Sequence, residues 1–452
     1  MMRSKFDEKN QKIEFVRFLH LSDFHFPDVI FEEGMSVDEE NGLQSPQIAV
    51  LKEVYKIIDK VDFIFISGDL TSNADLEGFQ KCISFICDRF SHHNVRIYSV
   101  FGNHDLKRGD REKKFDPFLQ IIKEYPGIHF SGPEVCKKRK LIKSKSLKID
   151  LDLLITNTCK NSSDNPYIPE KLKLCIMEPI SSLYGDEIAE KLWNQIKLKI
   201  EESTLIDDFS FDEEDYETLK SNLKELGTHI CLSHHNLVSF SGIDELNSFF
   251  SDQGKFRDFF VNHEDTVIYL SGHTHTQECT IIENPNDDTN KLICITSPPF
   301  FKIKSSVTNG FNIIDLILRK NNDDSYEPIG CKIQKIDDAV MKGNVADCQK
   351  IRFSKNLRNL ELTIDEQKVI NCLKKLTKKT KGSVRIKKLF ESLESSDFSE
   401  VQAFDIKYLH ELLMYFWWVG IIDEYSAMTR ENDFEVKLTD YIGVVSCVPM
   451  NS

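Results

Sequence analysis

Short apolar segments alternate with helix-length amphipathic segments through the first hundred residues of the chain. Segments 15–21, 62–67 and 95–101 are rich in Val, Ile and Phe, and segments 46–59 and 74–90 between them have helical periodicity. The pattern predicts a β-α-β-α arrangement whose strands are covered on both faces, because the apolar runs are nearly continuous. Sheets of this kind bind ligands at the carboxyl ends of their strands.

Length, composition and charge set limits on this fold. The 452 residues are 40% hydrophobic and 29% charged, a balance that predicts more than one globular domain and excludes a disordered or fibrous chain. The net charge of −15 disfavours an anionic partner unless basic residues are gathered locally. Segments 137–148 and 374–388 are two such local concentrations.

The amino terminus and the cysteines favour a reducing, cytoplasmic location. Residues 1–14 carry charges throughout and lack the apolar run of a secretion signal. The 12 cysteines include no C-x-x-C pair, and their density is far below that of disulfide-rich domains. The longest uncharged apolar run, 412–422, is too short to cross a bilayer, so we expect no membrane partner.

Six further strands are predicted in the middle of the chain, in a partly antiparallel arrangement because several follow one another without a long helix. They occupy 151–156, 228–233, 266–271, 278–283, 291–296 and 311–318. The interval 157–227 is predicted as a solvated insertion, because 201–219 holds nine acidic residues and no basic one. Residues 319–358 show no sustained periodicity and are predicted to connect two domains.

The segment 359–445 is predicted to form a separate small domain. Thr363-x-x-Glu366 is a capping box at the start of a helix that runs to about Lys379. Two more helices and two short strands are predicted at 384–395, 399–419, 421–425 and 434–438. Three helices followed by a hairpin resemble a winged helix.

Five polar clusters follow the predicted strands, each at the carboxyl end of an apolar run. They are Asp23-Phe24-His25, Gly68-Asp69, Gly102-Asn103-His104-Asp105, His234-His235 and Gly272-His273-Thr274-His275. One such cluster is a weak signal, because turns and buried structural histidines produce similar motifs by chance. Five of them predict a common site at one edge of one sheet, because only strand ends bring such segments within reach of one another.

Two aspartates, three or four imidazoles and one amide oxygen from these clusters would form one ligand set. This mixed set of oxygen and nitrogen ligands suits Mn, Fe, Zn, Ni or Co better than Mg or Ca. The ligands are too many for one ion, and two ions about 3.5–4 Å apart with a bridging carboxylate serve in-line displacement at phosphorus. Asp69 is the expected bridge, because it ends a central strand between the other clusters.

The order of these motifs resembles that of the calcineurin-like metallophosphoesterase superfamily over about residues 13–318. The resemblance implies an α/β fold, a two-layered β-sandwich flanked by helices, with 157–227 as an insertion. It implies one metal held by Asp23, His25 and His275, a second held by Asn103, His234 and His273, and Asp69 as the ligand that both share. It also implies that His104 is the catalytic histidine and that Asp105 orients it.

The implied function is that of a phosphoesterase with two divalent metal ions, most closely a phosphodiesterase. A hydroxide bridging two ions, with manganese favoured over iron, zinc or nickel, is expected to attack phosphorus while His104 assists the leaving oxygen. The segment from Asp69 to Ser72, with Asp105, is most similar to the bacterial cyclic-nucleotide phosphodiesterase branch. Asn236 stands where that branch usually has proline after its paired histidines, so the natural phosphoester stays open.

Two other functions stay open. A metal-dependent nuclease acting on DNA or RNA would use the basic runs 137–148 and 374–388, which solvated faces of a strand or helix explain equally well. The predicted helix 399–419 disfavours DNA recognition, because it carries three acids against Lys407, and its aromatic residues suit docking of a partner protein. An inactive scaffold would have lost ligand residues, and every matching position is retained.

Overall fold

A computed structural model gives the structure of the chain over residues 13–427 and 443–447. Within the first range, the positions outside this description are 27–44, 73, 91, 92, 94, 107–114, 133, 142–150, 161–169, 204–212, 225–228, 239–252, 263–265, 285, 286, 302–307, 321–325, 354–361, 381, 382 and 395–405. The chain divides into two compact units. The larger unit is Val16–Asp315 with Lys332–Gln349, and the smaller unit is Met1–Phe15 with Leu316–Cys331 and Lys350–Ser452.

The described residues form strands and helices along the whole chain. The strands are β1 (Ile13–Leu21), β2 (Phe63–Ile66), β3 (Arg96–Ser99), β4 (Ile128–Phe130), β5 (Cys136–Leu141), β6 (Leu151–Thr156), β7 (His229–Leu232), β8 (Val267–Ser271), β9 (Cys279–Asn284), β10 (Asp287–Thr296), β11 (Gly310–Lys320), β12 (Tyr326–Asp337), β13 (Cys348–Arg352), β14 (Ser383–Arg385), β15 (Ile422–Ala427) and β16 (Gly443–Cys447). The helices are α1 (Ser45–Ile57), α2 (Leu76–Phe90), α3 (Asp116–Lys123), α4 (Glu170–Tyr184), α5 (Asp186–Ser203), α6 (Glu213–Lys224), α7 (Gln253–Val261), α8 (Asp338–Met341), α9 (Ile364–Thr380), α10 (Ile386–Glu394) and α11 (Ile406–Trp418). Among these described helices, none has both the length and the apolar character that a membrane crossing requires.

The strands belong mainly to two sheets. The order in the seven-stranded sheet is β13-β12-β11-β1-β2-β3-β4, and the order in the six-stranded sheet is β5-β6-β7-β8-β10-β9. Strands β1 to β4 pair in parallel, as the β-α-β-α pattern predicts. In the second sheet, β6, β7, β8 and β10 are parallel, and the edge strands β5 and β9 are antiparallel to their neighbours. The prediction of a partly antiparallel arrangement is confirmed.

The central strands of both sheets are buried on both faces. Alternate residues of β1 and β2, such as Leu19 and Ile64, pack in one core with α1, α2 and α3, and the intervening Phe18 and Phe65 are fully buried in edge-to-face contact. In the second sheet, Tyr269 packs with Phe256 of α7 and with residues of α6, and its neighbours along β8 are also buried. Near-continuous apolar strands produce this arrangement, because neither face is left to water. The predicted α/β fold, a two-layered sandwich flanked by helices, is confirmed.

Several parts of the sequence differ from their predicted structure. Ser383–Arg385, at the start of the helix predicted at 384–395, form the strand β14. Residues 319–358, expected to lack regular structure, hold β12, α8 and β13. The missed signal is the alternation of Ile329, Cys331 and Ile333, which are buried at every second position of β12. The short strands β4 and β5 were not predicted. Strand β5 is strongly basic, and charged residues are common on edge strands such as this one. The domain boundaries themselves stay a prediction.

The insertion 157–227 contains helices α4, α5 and α6. Apolar side chains at the junction of α4 and α5 are exposed, including Leu183 and Tyr184, in agreement with a solvated segment. Helix α6 is different, because its Tyr216 and Leu219 are buried against the second sheet.

The smaller unit holds α9 to α11 and a three-stranded sheet in the order β14-β16-β15. The predicted capping box is present, since Thr363 N–H donates to Glu366 Oε2 at 2.7 Å and Glu366 N–H donates to Thr363 Oγ1 at 3.3 Å. The core contains Leu373, Leu389 and Leu413 from the helices. The strand predicted at 434–438 lies outside the described residues.

Candidate metal centre

The five polar clusters lie at the carboxyl ends of strands from both sheets. Three of them follow β1, β2 and β3 of the seven-stranded sheet, and the clusters at His234 and Gly272 follow β7 and β8 of the six-stranded sheet. Direct contacts join the two groups, since His273 N–H lies 3.3 Å from both carboxylate oxygens of Asp23. The expectation of a single sheet edge is therefore corrected: two layers of the sandwich share the site.

Backbone hydrogen bonds hold the loops after β1 and β2 side by side. Asp23 N–H donates to the Gly68 carbonyl at 3.0 Å, and His25 N–H donates to the Asp69 carbonyl at 3.0 Å. The parallel pairing of the two strands thus continues past their ends. Asp23, His25 and Asp69 reach the centre with φ between 52 and 53°, the left-handed conformation that non-glycine residues rarely adopt. Such backbone outliers cluster at functional sites.

Asp23, His25 and His275 form one group of potential ligands. The Nε2 atoms of His25 and His275 are 3.1 Å apart, and His275 Nε2 is 3.4 Å from Asp23 Oδ1. His25 Nε2 is 3.8 Å from the same oxygen. Ligand atoms about 2.1 Å from one ion are roughly 3.0–3.4 Å from their neighbours around it. The spacing of this group fits a shared cation.

Asn103, His234 and His273 form the second group. His234 Nε2 is 2.7 Å from Asn103 Oδ1, and His273 Nδ1 is 3.3 Å from the same oxygen. The other nitrogen of His234, Nδ1, is 2.7 Å from the Ser67 carbonyl. A neutral imidazole carries one N–H, so donation to Ser67 directs the Nε2 lone pair toward the Asn103 oxygen. Two converging lone pairs are the arrangement that a cation satisfies.

Asp69 lies between the two groups. Its Oδ2 atom is 3.9 Å from His25 Nε2 and 3.5 Å from His234 Nε2. Its other carboxylate oxygen, Oδ1, accepts the N–H of His104 at 2.9 Å. The side chain is buried, so this carboxylate is held in one orientation between both imidazoles. The residues present therefore fit a pair of divalent ions that share one carboxylate.

The protonation of the site suits metal binding at neutral pH. Burial lowers the pKa of His25 to about 4 and that of His273 to about 3, so both imidazoles are neutral. Burial by itself raises the pKa of the Asp23 and Asp69 carboxyls, but the neighbouring histidines outweigh it and the pKa values end below their usual range. Neutral imidazoles and ionised carboxylates are the forms that bind metals.

Two glycines let the strand ends approach one another. A Cβ atom on Gly102 would stand 2.0 Å from Asp69 Oδ1, and one on Gly272 would stand 2.5 Å from Asp23 Oδ2. Both distances are far below van der Waals contact, so no side chain fits at either position. The glycines allow the carboxylates to lie against neighbouring backbone.

His104 belongs to the 3₁₀ turn Asn103–Asp105, beside the first group of ligands. Its ring centroid is 5.3 Å from that of His25, and its Nδ1 atom is 2.7 Å from the carbonyl oxygen of Ser72. Donation of Nδ1–H to Ser72 leaves Nε2 as the nitrogen that can act on a substrate. His104 thus lies beside the ligand groups with its Nδ1 held by backbone.

Asp105 has a different set of contacts from the one expected. Its carboxylate accepts the N–H of Thr71 at 2.8 Å and the N–H of Gly102 at 2.8 Å, and it is fully buried. Burial and the charge of Asp69 raise its pKa to about 7. The expected role in orienting His104 is corrected, because the hydrogen-bond acceptor at His104 Nδ1 is the Ser72 carbonyl. Backbone acceptors of this kind have no sequence signature, since every residue carries one.

His235 lies next to the second group and is held by Thr158. Its Nδ1 is 2.9 Å from Thr158 Oγ1, and its ring centroid is 4.7 Å from that of His273. Burial lowers the pKa of His235 well below its usual value. The sequence analysis did not identify Thr158. The signal that could have found it is its position as a polar residue after the apolar strand β6.

Several solved structures are similar in shape to this chain. They include a dimetal phosphatase from Danio rerio, with 10% identity, coverage of 75% of this chain and 99% of that chain, and a TM-score of 0.42. A purple acid phosphatase from yellow lupin seeds has 14% identity, coverage of 75% and 54%, and a TM-score of 0.36. A 5′-nucleotidase precursor from Thermus thermophilus has 11% identity, coverage of 75% and 54%, and a TM-score of 0.34. The chain thus spans about half the length of the last two, 54% of each.

A search of the curated proteins found no match. The family is shown by another comparison, with models of protein families. The model of the calcineurin-like phosphoesterase family matches residues 16–277. This range is more than half of the 452 residues and contains all the clusters described above. The chain therefore belongs to the calcineurin-like phosphoesterase family.

Proposed function

We propose that this chain is a phosphodiesterase that uses two divalent metal ions. The observation that carries the proposal is the position of Asp69, whose Oδ2 faces an imidazole of each ligand group at 3.9 Å and 3.5 Å. In this proposal Asp23, His25 and His275 hold one ion, and Asn103, His234 and His273 hold the other. When bound, such a pair of ions acidifies a water molecule and neutralises charge on the phosphoryl oxygens.

His104 is proposed as the group that protonates the leaving oxygen. Its Nδ1–H is engaged by the Ser72 carbonyl at 2.7 Å, so the ring is oriented before substrate binds. In its imidazolium form His104 also carries a proton on Nε2. The attacking water adds to phosphorus and releases one proton to solvent, the bond from phosphorus to the leaving oxygen breaks, and Nε2 passes its proton to that oxygen. Thr71 supports this geometry, since its hydroxyl donates to the carbonyl of His104 at 2.9 Å.

The finer assignments rest on the sequence. The mixture of carboxylate, amide and imidazole groups suits manganese, iron, zinc or nickel, and manganese is proposed first among them. The residues from Asp69 to Ser72 support the bacterial cyclic-nucleotide phosphodiesterase branch. A cytoplasmic location and a winged-helix-like C-terminal domain that binds a partner protein are also proposed.

Metal-dependent hydrolysis of bis-p-nitrophenyl phosphate tests the proposal. We expect activity to be lost in EDTA and restored by Mn²⁺, and hydrolysis of the diester to exceed that of p-nitrophenyl phosphate. Asp69→Asn and His273→Ala should each reduce the rate by about 10²-fold or more, because each weakens the hold on an ion. Wild-type activity in both variants would refute the assignment of the metal centre.

His104→Asn separates catalysis from metal binding. We expect kcat to fall by about 10²- to 10⁴-fold while the metal content, measured by elemental analysis, stays at the wild-type level. The matched control is His129→Asn, because His129 lies on β4 and stacks on Tyr98, away from the polar clusters. A loss of bound metal in His104→Asn would make this residue a ligand instead.

A nuclease is the second candidate, favoured by the basic residues of segment 374–388. The same Mn²⁺-loaded protein would then cut a linear DNA or RNA faster than it hydrolyses a cyclic nucleotide. Gel analysis of the polymer and chromatography of the cyclic nucleotide distinguish the two substrates.

A further inference from the structure

Seven exposed basic residues lie on three neighbouring elements of the smaller unit. They are Lys374, Lys375, Lys378 and Lys379 of α9, Arg385 of β14, and Lys387 and Lys388 of α10, and we call them the cationic surface. The segment 374–388 contains no acidic residue, although the whole chain has a net charge of −15. The concentration of positive charge is therefore local and opposes the balance of the rest of the molecule.

The side chains of the cationic surface have no carboxylate partners among the described residues. Lys368, earlier in the same helix, shows the contrast, since its Nζ atom is 3.6 Å from Asp365 Oδ1. The apolar side chains between the basic ones, such as Leu376, Ile386 and Leu389, are buried. What the three elements present to solvent over this segment is thus charged, without an exposed apolar side chain among the described positions.

Helix stability explains only two of the seven residues of the cationic surface. Lys378 and Lys379 lie in the last turn of α9, where cations interact favourably with the helix dipole. Lys387 and Lys388 lie in the first turn of α10, and this turn contains no acidic residue, the acids of the helix being Glu391 and Glu394. Cations at that end of a helix are unfavourable, because they lie at the positive end of the helix dipole. An anionic ligand would remove this penalty, because helix amino termini favour negative charge.

We propose that the cationic surface binds the phosphate backbone of a double-stranded nucleic acid. A polyanion complements seven cations spread over three elements, and contacts to phosphate need no particular base sequence. Single strands are usually held by aromatic side chains that stack on bases, whereas Phe390, the aromatic residue of α10, is buried. Membrane surfaces are usually contacted by apolar side chains beside the basic ones, and the described part of this surface exposes none. The proposal does not depend on the phosphodiesterase activity.

Fluorescence anisotropy with a labelled DNA duplex of about 30 base pairs tests the proposal. All binding is measured in EDTA, so that hydrolysis plays no part. If all seven cations contact phosphate, affinity should fall by about 10³- to 10⁴-fold between about 50 and 200 mM salt. An RNA duplex of the same sequence shows which nucleic acid is preferred, and tight binding of either supports the proposal.

The triple variant Arg385→Glu, Lys387→Glu and Lys388→Glu localises the binding. We expect affinity to fall by about 10-fold or more and the logarithmic salt slope to become shallower by about 3. The unfolding temperature should not fall, because acidic residues in the first turn of α10 suit the helix dipole. Hydrolysis of the small diester should be unchanged, since none of these residues belongs to the metal centre.

The matched control is Lys52→Glu, Lys191→Glu and Lys342→Glu, which changes the net charge equally at exposed positions of the larger unit. This control should lose much less affinity than the triple variant of the cationic surface. Equal losses in the two variants, or no duplex binding by the wild type, would overturn the proposal. Tighter binding to a single strand, or to phosphatidylserine vesicles in place of the duplex, would also overturn it.

Discussion

At the scale of the residue, the proposed ligands are held in strained backbone conformations. Six described non-glycine residues have positive φ, and five of them are Asp23, His25, Asp69, His273 and His275. The left-handed region costs a residue other than glycine about 1–2 kcal/mol. Sequence motifs identify these side chains but give no sign of the strain. A positive φ is normally inferred from a glycine, and none of these five residues is glycine.

Substitutions at His275 test this strain directly. His275→Gly should be more stable than His275→Ala by about 1 kcal/mol, because glycine adopts a φ of 55° without steric conflict. Both variants should lose metal-dependent activity. Urea unfolding in EDTA measures the difference in the free energy of unfolding.

The neighbouring residue provides the control for the glycine comparison. Thr274 has an ordinary φ, so Thr274→Gly should be less stable than Thr274→Ala by about 0.5–1 kcal/mol. Both substitutions remove the same hydroxyl, which is 2.9 Å from Asn236 Nδ2. The same order of stability at both positions would contradict the strain at His275.

At the scale of the element, Asp105 joins the loops that follow β2 and β3. The two oxygens of its buried carboxylate accept from Thr71 N–H and from Gly102 N–H, one on each loop. Both loops carry residues of the candidate metal centre, Asp69 on one and Asn103 on the other. The sequence identified Asp105 as a site residue but assigned it the wrong contact, because two distant backbone donors leave no mark on the sequence between them.

Asp105→Asn tests whether this carboxylate supports the loops. The amide offers only one acceptor oxygen, so one buried N–H loses its partner and the free energy of unfolding should fall by about 1–3 kcal/mol. The rate constant kcat should fall by less than it does in His104→Asn. Urea unfolding and steady-state kinetics on the small diester measure the two effects.

Asp75→Asn is the matched control for this substitution. Asp75 also accepts backbone N–H groups, at the start of α2, where its Oδ2 is 2.7 Å from Gly78 N. Asparagine caps helices about as well as aspartate, so little change in stability is expected. If Asp105→Asn kept full stability and lost as much kcat as His104→Asn, a role in orienting His104 would be restored.

At the scale of the whole molecule, the core of the smaller unit draws on distant parts of the chain. Ile13, Ile317 and Ile329 are buried in one cluster with α9, α10 and α11. Trp418 packs beside Gly330, where an added Cβ would stand 2.5 Å from the ring. These contacts join residues near both ends of the described chain.

A truncation after residue 358 should therefore be destabilising. It would expose the three isoleucines, each worth about 1.5–3 kcal/mol of burial, a loss of about 5 kcal/mol or more. We expect a lower unfolding temperature and aggregation, measured by differential scanning fluorimetry and light scattering. A control that removes only 448–452 keeps these contacts, and a fully stable, monomeric form of the longer truncation would contradict the shared core.

The sequence alone predicted nine strands of the two sheets, helices α1, α2, α9, α10 and α11, and the chemical nature of the candidate metal ligands. Apolar periodicity is a local property, and ligand chemistry depends on the side chain itself, so both can be read without a structure. Only the tertiary structure decided that two sheets share the centre, that Asp105 joins two loops, and that β12 and β13 extend the first sheet. These features depend on contacts between distant segments, and many of them use backbone groups that every residue carries, so no residue type announces them.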